Sequence, residues 1–468
     1  MVFKKNLIIL LVGIIFLFSL TACNIFPPID DDGDDGADDD VDDGENEYGN
    51  MFVSTWNTEK ISTGSTKSNQ IKLPLLPNGK YNFIINWGDG TKTSITDWNQ
   101  TEITHTYNEP GVYKIKIEGD IIGWSFNNEG DKLKIQEIHN WGSLMLGNEG
   151  GYFNGAQNLK ITAKDILNLE GTTNMSKAFR SCQELTTIPN IEKWDLSKVT
   201  DMSEMFFAAK NFNQLLNDWD VSSVTNMNYM FGYTDKFNQL LNDWNVSQVK
   251  NFGAMFSRAK EFNQPLDKWD ISSAEDITYM FFEAYSFNQP LEMWDVSRIT
   301  SFQWLFRDAQ SFNQPINKWD TRNVNNMNEV FRGATSFNQP LNDWDVSQVT
   351  SLYGMFYGAT SFNQPLDKWD TSANVFLTNT FKEATSFDQN IGSWDISSVE
   401  WMQNTFEGTK LSTENYDALL IEWSKQSNVP LKMTFNAGKS TYSEKAKEAR
   451  DEVLINKYGW IILDGGMI

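Results

Sequence analysis

The chain has 468 residues, enough by length for two or three domains, and a formal charge of −24. Twelve Asp and Glu lie between Asp30 and Glu47 with no Lys or Arg among them, which leaves only −12 for the rest and gives no basic groove for nucleic acid. Two cysteines, Cys23 and Cys182, cannot make a disulfide framework, and two histidines, His105 and His139, leave most of the chain without the commonest general base and metal ligand.

Lys4 and Lys5 precede a 14-residue apolar stretch, Leu7 to Leu20, which has the shape of an export signal and falls short of the roughly 20 residues a membrane-spanning helix needs. It ends in Leu20-Thr21-Ala22-Cys23, which resembles the lipobox of bacterial lipoproteins. The resemblance implies cleavage after residue 22 and acyl chains, such as palmitate, on the new N-terminal Cys23. Two or more chains would make that attachment durable where one binds only marginally. An ordinary signal peptide with a chance cysteine, or an uncleaved anchor, are the alternatives. Residues 23–50 are then an acidic tether. Asp and Gly with almost no apolar residue cannot bury enough surface to order themselves, and like charges extend the chain. The Asp-x-Asp-x-Asp-Gly register of a calcium loop is absent from it.

From residue 51 to 126 the pattern becomes β-like, with strands expected at Gln70 to Leu76, Tyr81 to Trp87 and Val112 to Ile117, and a tight turn at Asp89-Gly90. Asn86-Trp87-Gly88-Asp89-Gly90, Thr104-His105-Thr106-Tyr107 and Pro110-Gly111-Val112-Tyr113 resemble the signature segments of PKD-type domains. That resemblance implies a seven-stranded immunoglobulin-type β-sandwich serving as a spacer or adhesive module. His105 is expected to be a structural hydrogen-bonding residue.

After an irregular segment, 127–190, expected to cap the repeats, residues 191–410 hold nine 25-residue units marked by Trp194, Trp219 and so on to Trp394. Such a repeat predicts a solenoid whose units are stable only when stacked. Within a unit, Met202, Met205, Phe206 and Ala209 have the i, i+3, i+4, i+7 spacing of an amphipathic helix, and Asp201 stands where an N-cap belongs. Asn226, Asn251, Asp276, Ser301, Asn326 and Ser351 hold the same position, with Phe376 and Trp401 as exceptions. The second half of the unit predicts a brief strand bonded to its neighbours at about 4.8 Å.

The rings of Phe206, Phe231 and their equivalents should stack. The recurring Asn213 and Gln214 should form an amide ladder, with a ligand-reading face as the alternative, and the tryptophans a core stack rather than a sugar platform. The repeating Asp of the Asp195 and Asp220 column needs compensation, through an Asx turn or through bound calcium. Residues 411–468 are expected to close the stack with helices at Ser412 to Ser424 and Tyr442 to Lys457 and strands at Leu431 to Phe435 and Trp460 to Leu463.

The unit Phe-Asn-Gln-Pro-Leu-Asn-Asp-Trp-Asp-Val-Ser with Val-Thr-x-Met-x-x-Met-Phe resembles the repeats of BspA-like bacterial surface lipoproteins, a leucine-rich-repeat relative common among mollicutes, over Met175 to Thr409. With it the expected class is α+β: a right-handed leucine-rich-repeat-like solenoid, one short strand and one short helix per repeat, preceded by a PKD-like sandwich. The resemblance implies adhesion to host or neighbouring-cell proteins or glycans. The chain is then held on the outer face of the cell membrane by its lipid, with no catalytic residue, metal or cofactor and no nucleic-acid partner. A ligand would be read where otherwise alike repeats differ, at Tyr233, Arg258, Glu283, Arg307, Arg332, Tyr357 and Lys382. The alternatives are a self-associating structural envelope protein and, against the even spacing of the acids, a β-helix polysaccharide enzyme.

Overall fold

The computed structural model describes residues 47–468; the expected signal peptide, Cys23 and almost all of the acidic tether lie outside the described residues. Among the described residues, no helix is long and apolar enough to cross a membrane.

Nine strands open the fold: β1 (Phe52–Asn57), β2 (Gln70–Lys72), β3 (Leu75–Asn86), β4 (Lys92–Ile95), β5 (Thr104–Thr106), β6 (Val112–Trp124), β7 (Ile135–Asn140), β8 (Leu144–Met145) and β9 (Lys160–Ile161). A seven-stranded sheet runs β4-β3-β6-β1-β7-β9, with β8 beside β6, and β2 pairs β5 separately. Alternation along β3 and β6 buries Phe83, Ile85, Ile115 and Ile117 on one face, as period-two patterning requires.

The Trp87-Gly88-Asp89-Gly90 turn needs its glycines: Gly88 sits at φ +86°, and a Cβ there would lie 2.6 Å from the Lys114 carbonyl oxygen. His105 stacks on Trp87, with centroids 4.8 Å apart, and its Nε2 lies 2.7 Å from Asp89 Oδ2. The Tyr107 hydroxyl donates to the Trp87 carbonyl at 2.9 Å. His105 is thus a structural residue that ties turn to strand. The sheet does not end at residue 126. β7 pairs β1 antiparallel, β9 pairs β7 in parallel, and parallel bridges then continue from Met145↔Asn168 and Asn174↔Asp201 into the repeats.

The repeats stack in register, but among the described residues no α-helix occupies them and only a single 3-10 turn, Ile191–Lys193, is helical, which corrects the expected strand-plus-helix unit. The segment expected to be helical is two consecutive β-turns. The Met205 N–H donates to the Met202 carbonyl and the Ala209 N–H to that of Phe206, with Glu204 and Ala208 at φ +54° and +57° in third position, where a type II turn needs a positive φ. Each four-residue turn points its first and last residues inward, so Met202, Met205, Phe206 and Ala209 are buried with the same spacing that an amphipathic helix would show.

The backbone then serves the neighbouring unit rather than its own turn. The N–H groups of Met202, Glu204, Phe206 and Ala208 donate to the carbonyls of Asn226, Asn228, Met230 and Gly232 at 2.8–3.0 Å. The backbone ladder therefore lies in the first half of the unit, not in the second as the sequence suggested. The residues expected as N-caps do accept an amide, but two residues on: Asp201 Oδ1 takes the Ser203 N–H at 2.8 Å, and Asn226, Asn251 and Asp276 repeat the bond. They are Asx turns that open a β-turn.

The second half of the unit is joined by side chains. Asn213 Oδ1 accepts the Asn238 N–H at 3.0 Å and Gln239 Nε2 at 2.9 Å, and the pattern repeats up to Asn363, which accepts from Asp388 and Gln389. Each indole from Trp219 to Trp394 donates Nε1–H to a carbonyl 28 residues back, at 2.8–3.1 Å. Phenylalanines fill the interior in two columns. Phe206 stacks on Phe231 at 5.8 Å and on Phe212 of its own unit at 4.1 Å. The first column reaches back through Phe179 to Phe153, so the irregular N-terminal segment already belongs to the stack.

At the far end the amide ladder is handed to a helix. Asp388, which replaces Asn in its column, accepts the Ser412 N–H at 2.7 Å and Asn415 Nδ2 at 2.8 Å, and Ser412 is the N-cap of α1 (Thr413–Ser424). A second helix begins at α2 (Glu444–Lys447) and continues in π geometry over Glu448–Lys457. Strands β10 (Thr434–Asn436) and β11 (Ile461–Leu463) pair in parallel, and the Phe406 N–H donates to Asn436 as to one more rung.

Candidate functional site

The second β-turn of each unit buries its first and last residues, so its two middle residues form adjacent columns at the surface. Arg307, Arg332, Tyr357 and Lys382 lie in the first of these columns, and Tyr233, Arg258 and Glu283 in the second, each of those three at positive φ. The structure thus brings all seven variable positions onto one ribbon. Corners of a turn are where side chains can differ from rung to rung without disturbing the interior.

On the ribbon they engage one another. The Arg258 guanidinium lies 4.9 Å from the Tyr233 ring centroid and pairs with Glu283 at 2.8 Å. Tyr285 donates its hydroxyl to the other Glu283 oxygen at 3.0 Å. Arg307 stacks on Trp304 at 3.9 Å and pairs with Glu329 at 2.5 Å, and Arg332 shares Glu329 at 2.9 Å. Tyr357 carries Arg332 at 4.5 Å and Lys382 at 5.5 Å, and Lys382 pairs with Glu407 at 3.1 Å. Towards the N-terminal side, Arg180 covers the Phe207 ring at 4.6 Å and pairs with Glu204.

Ionisation follows these contacts. Partial burial would lower Arg258, but the bond to Glu283 outweighs it and raises it above the usual range; Lys382 is raised by its bond to Glu407. Tyr285 is raised by burial and then by the Glu283 carboxylate. Beside the ribbon an open depression of about 380 Å³ is lined by Lys210, Tyr233, Asp235, Arg258, Lys260, Glu283 and Tyr285, with Lys260 and Asp235 paired at 3.3 Å. The surface is a mosaic of cations, carboxylates and aromatic faces.

The sequence alone did not point to Arg180, Glu204, Phe207, Phe282, Trp304 and Glu329, which complete the ribbon. The signal was available: Phe207 and Phe282 share the register of Arg307, and Trp304 and Glu329 that of Glu204, at multiples of 25 residues.

The column of repeating Asp lies elsewhere on the unit. Asp195 Oδ1 accepts Ser197 Oγ at 2.6 Å and the Ser197 N–H at 3.1 Å, and Asp220 does the same with Ser222. Those two bonds, the hydroxyl first, lower the carboxyls of Asp195 and Asp220 below the usual range. Like charges one rung apart are tolerated because each is held by its own Asx turn. Among the described residues, no three His, Cys, Asp or Glu are grouped to hold a metal ion.

The sequence pattern of the family described as "Mycoplasma protein of unknown function, DUF285" matches residues 173–294, 282–385 and 340–446, together more than half of the chain. No curated protein matches it.

Proposed function

Because the chain belongs to the DUF285 family of Mycoplasma proteins, we propose that it is a lipid-anchored surface protein whose stacked repeats bind host or neighbouring-cell proteins or glycans, without catalysis. In this reading Cys23 carries the lipid on the outer face of the cell membrane. The acidic tether and a PKD-like sandwich stand the repeats away from the bilayer, and the repeats are a right-handed, BspA-like relative of leucine-rich-repeat solenoids. The observation that carries the reading is the ribbon. The Trp, Phe and Asn columns are taken up by the stack, while the second-turn corners, where rungs differ, lie together on one surface edge through Tyr233, Arg258, Glu283, Arg307, Arg332, Tyr357 and Lys382. Surfaces of this kind, with Arg and aromatic side chains together, are enriched at binding hot spots.

The test is binding of the protein to arrayed extracellular-matrix proteins and glycans, with and without a chelator. Saturable binding, weakened at least tenfold in an Arg258→Ser, Arg332→Ser double variant, is expected. Binding untouched by that variant would move the ligand off the ribbon, and no binding to any arrayed partner would sink the adhesion reading. Incorporation of labelled palmitate, abolished by Cys23→Ala, tests the anchor.

Self-association is a second reading, favoured by β11, where Ile461 and Leu463 are 59% and 51% exposed on one side of a strand that pairs only with β10 among the described residues. Sedimentation that depends on concentration in the native protein and not in Leu463→Lys would support it.

A further inference from the structure

Two consecutive rungs break the rule that the rest of their column obeys. From Asp201 to Ser351 the side chain at this position accepts the amide two residues on, as with Asn326 and the Asn328 N–H at 3.0 Å. At Phe376 and Trp401 that bond is given up for two aromatic rings. The rings stack 4.8 Å apart at 6°, and 38% and 42% of the two residues remain exposed. Tyr353, on the rung before and two residues along, is also 38% exposed.

The fringe of the pair is amide and hydroxyl. Thr378 donates its hydroxyl to Gln403 Oε1 at 3.1 Å, and Asn379 Oδ1 is buried without a hydrogen-bond partner. Over residues 350–354, 375–379 and 400–404 the only charged residue is Glu400, whereas the second-turn corners of the adjoining ribbon are charged on six of nine rungs. Stacking the two rings on each other answers for the lost Asx bond, but not for leaving them open to water.

We propose that Phe376 and Trp401, with Gln403, Thr378 and Tyr353 at their edge, form a subsite for one pyranose ring of a neutral glycan. The stack covers one face of each ring, so a sugar would lay its C–H groups against an outer face of the pair, and neutral amides and hydroxyls would bond its hydroxyls without demanding a counter-charge. An anionic ligand would find no cation here, and the ribbon is the place for charged partners. This inference rests on the binding role proposed above and names one subsite and its ligand class.

The experiment uses the full chain and saturation-transfer NMR with lactose, N-acetyllactosamine and cellotetraose, and then the same sugars displayed multivalently on a surface. The decisive variant is Phe376→Asn, Trp401→Asn. It restores the residue that Asn226, Asn251 and Asn326 hold in this column, together with its Asx bond, so it should fold at least as well as the native protein. Expected are millimolar binding of at least one of the sugars, avid capture on the displayed surface, and at least a tenfold loss of both in this variant but not in Arg258→Ser, Arg332→Ser. Equal sugar binding by native protein and Asn variant would overturn the subsite. So would no binding of any neutral sugar, or dimerisation that the Asn variant abolishes, which would assign the rings to a second copy. Sugar binding untouched in the Asn variant, together with array binding that falls in the ribbon variant, would leave the adhesion role standing and remove only this site.

Discussion

The interior columns and the surface ribbon share one 25-residue period and use it in opposite ways. Inside, the same residue returns at every rung, because a Trp, Phe or Asn that satisfies its neighbour once satisfies it each time. Trp294 donates to the Leu266 carbonyl at 3.1 Å, and Asn288 accepts from both Asn313 and Gln314 at 2.9 and 3.0 Å. Outside, residues change from rung to rung, yet they change in compensating pairs: Arg258 with Glu283, Arg307 and Arg332 with Glu329, Lys382 with Glu407. Identity is needed where geometry leaves one solution. At a turn corner only the sum of charges and ring faces must balance.

That contrast can be broken most forcefully in the middle of the stack. Trp294→Ala removes a buried indole and frees a carbonyl, and should cost about 4 kcal/mol, the usual range for a large aromatic in a core. Because a stacked array need not unfold in one step, hydrogen exchange of the adjoining rungs should show the loss beside the substitution. A fall in stability below about 1 kcal/mol would mean that the Trp column decorates the stack rather than holding it.

Asn288→Ala should cost about 1–2 kcal/mol, since the Asn313 N–H loses its side-chain acceptor while Gln314 Nε2 keeps the Asn288 carbonyl at 3.2 Å. Thermal unfolding against Asn288→Asp, which keeps the acceptor, separates the bond from the volume. On the ribbon, Arg307→Met should cost about 1–2 kcal/mol: the Arg307–Glu329 pair is mostly buried, but Glu329 keeps Arg332 and is not left as an unpaired buried charge. If it costs as much as the Trp, the distinction between interior and ribbon fails.

The smallest effect is expected in the Asp column. Asp220→Asn keeps the Asx turn, as Asn245 does naturally with Ser247, and should change stability by no more than about 0.5 kcal/mol near neutral pH. Its signature is in acid. The carboxyls of Asp220, Asp270 and Asp370 are lowered by the Ser hydroxyl and amide of each turn. Their contribution is therefore full above the ordinary carboxylate value of about 3.9 and is lost as pH falls below it. Unfolding curves between pH 5 and 2 should be shallower in pH when these aspartates are replaced by Asn. An unchanged slope would show that the column has no part in acid sensitivity.

Much of this was legible in the sequence. A 25-residue clock of Trp, with Phe and Asn-Gln at fixed offsets, was enough to expect stacked rings, an amide ladder and Asx turns, because residues that share a register in a repeat must meet their own equivalents. His105 and the Trp87-Gly88-Asp89-Gly90 turn were also readable, since few residues tolerate the backbone of such a turn. The seven variable positions were found without their partners: Trp304 and Glu329 stand only three residues before Arg307 and Arg332, but the cross-rung pair of Arg307 with Glu329 forms only once the rungs are laid on one another.

The sequence by itself determined the period, the buried columns and which short polar side chains hold a nearby backbone amide, all of which come from side-chain chemistry repeated along the chain. Only the tertiary structure decided whether Met202, Met205, Phe206 and Ala209 lie on a helix or on two β-turns. Both put the same four residues inward, and the choice turns on where the backbone amides find acceptors. An isolated turn of helix would bond within itself. Here the carbonyls of the next rung stand 2.8–3.0 Å from those amides, and the stack takes them.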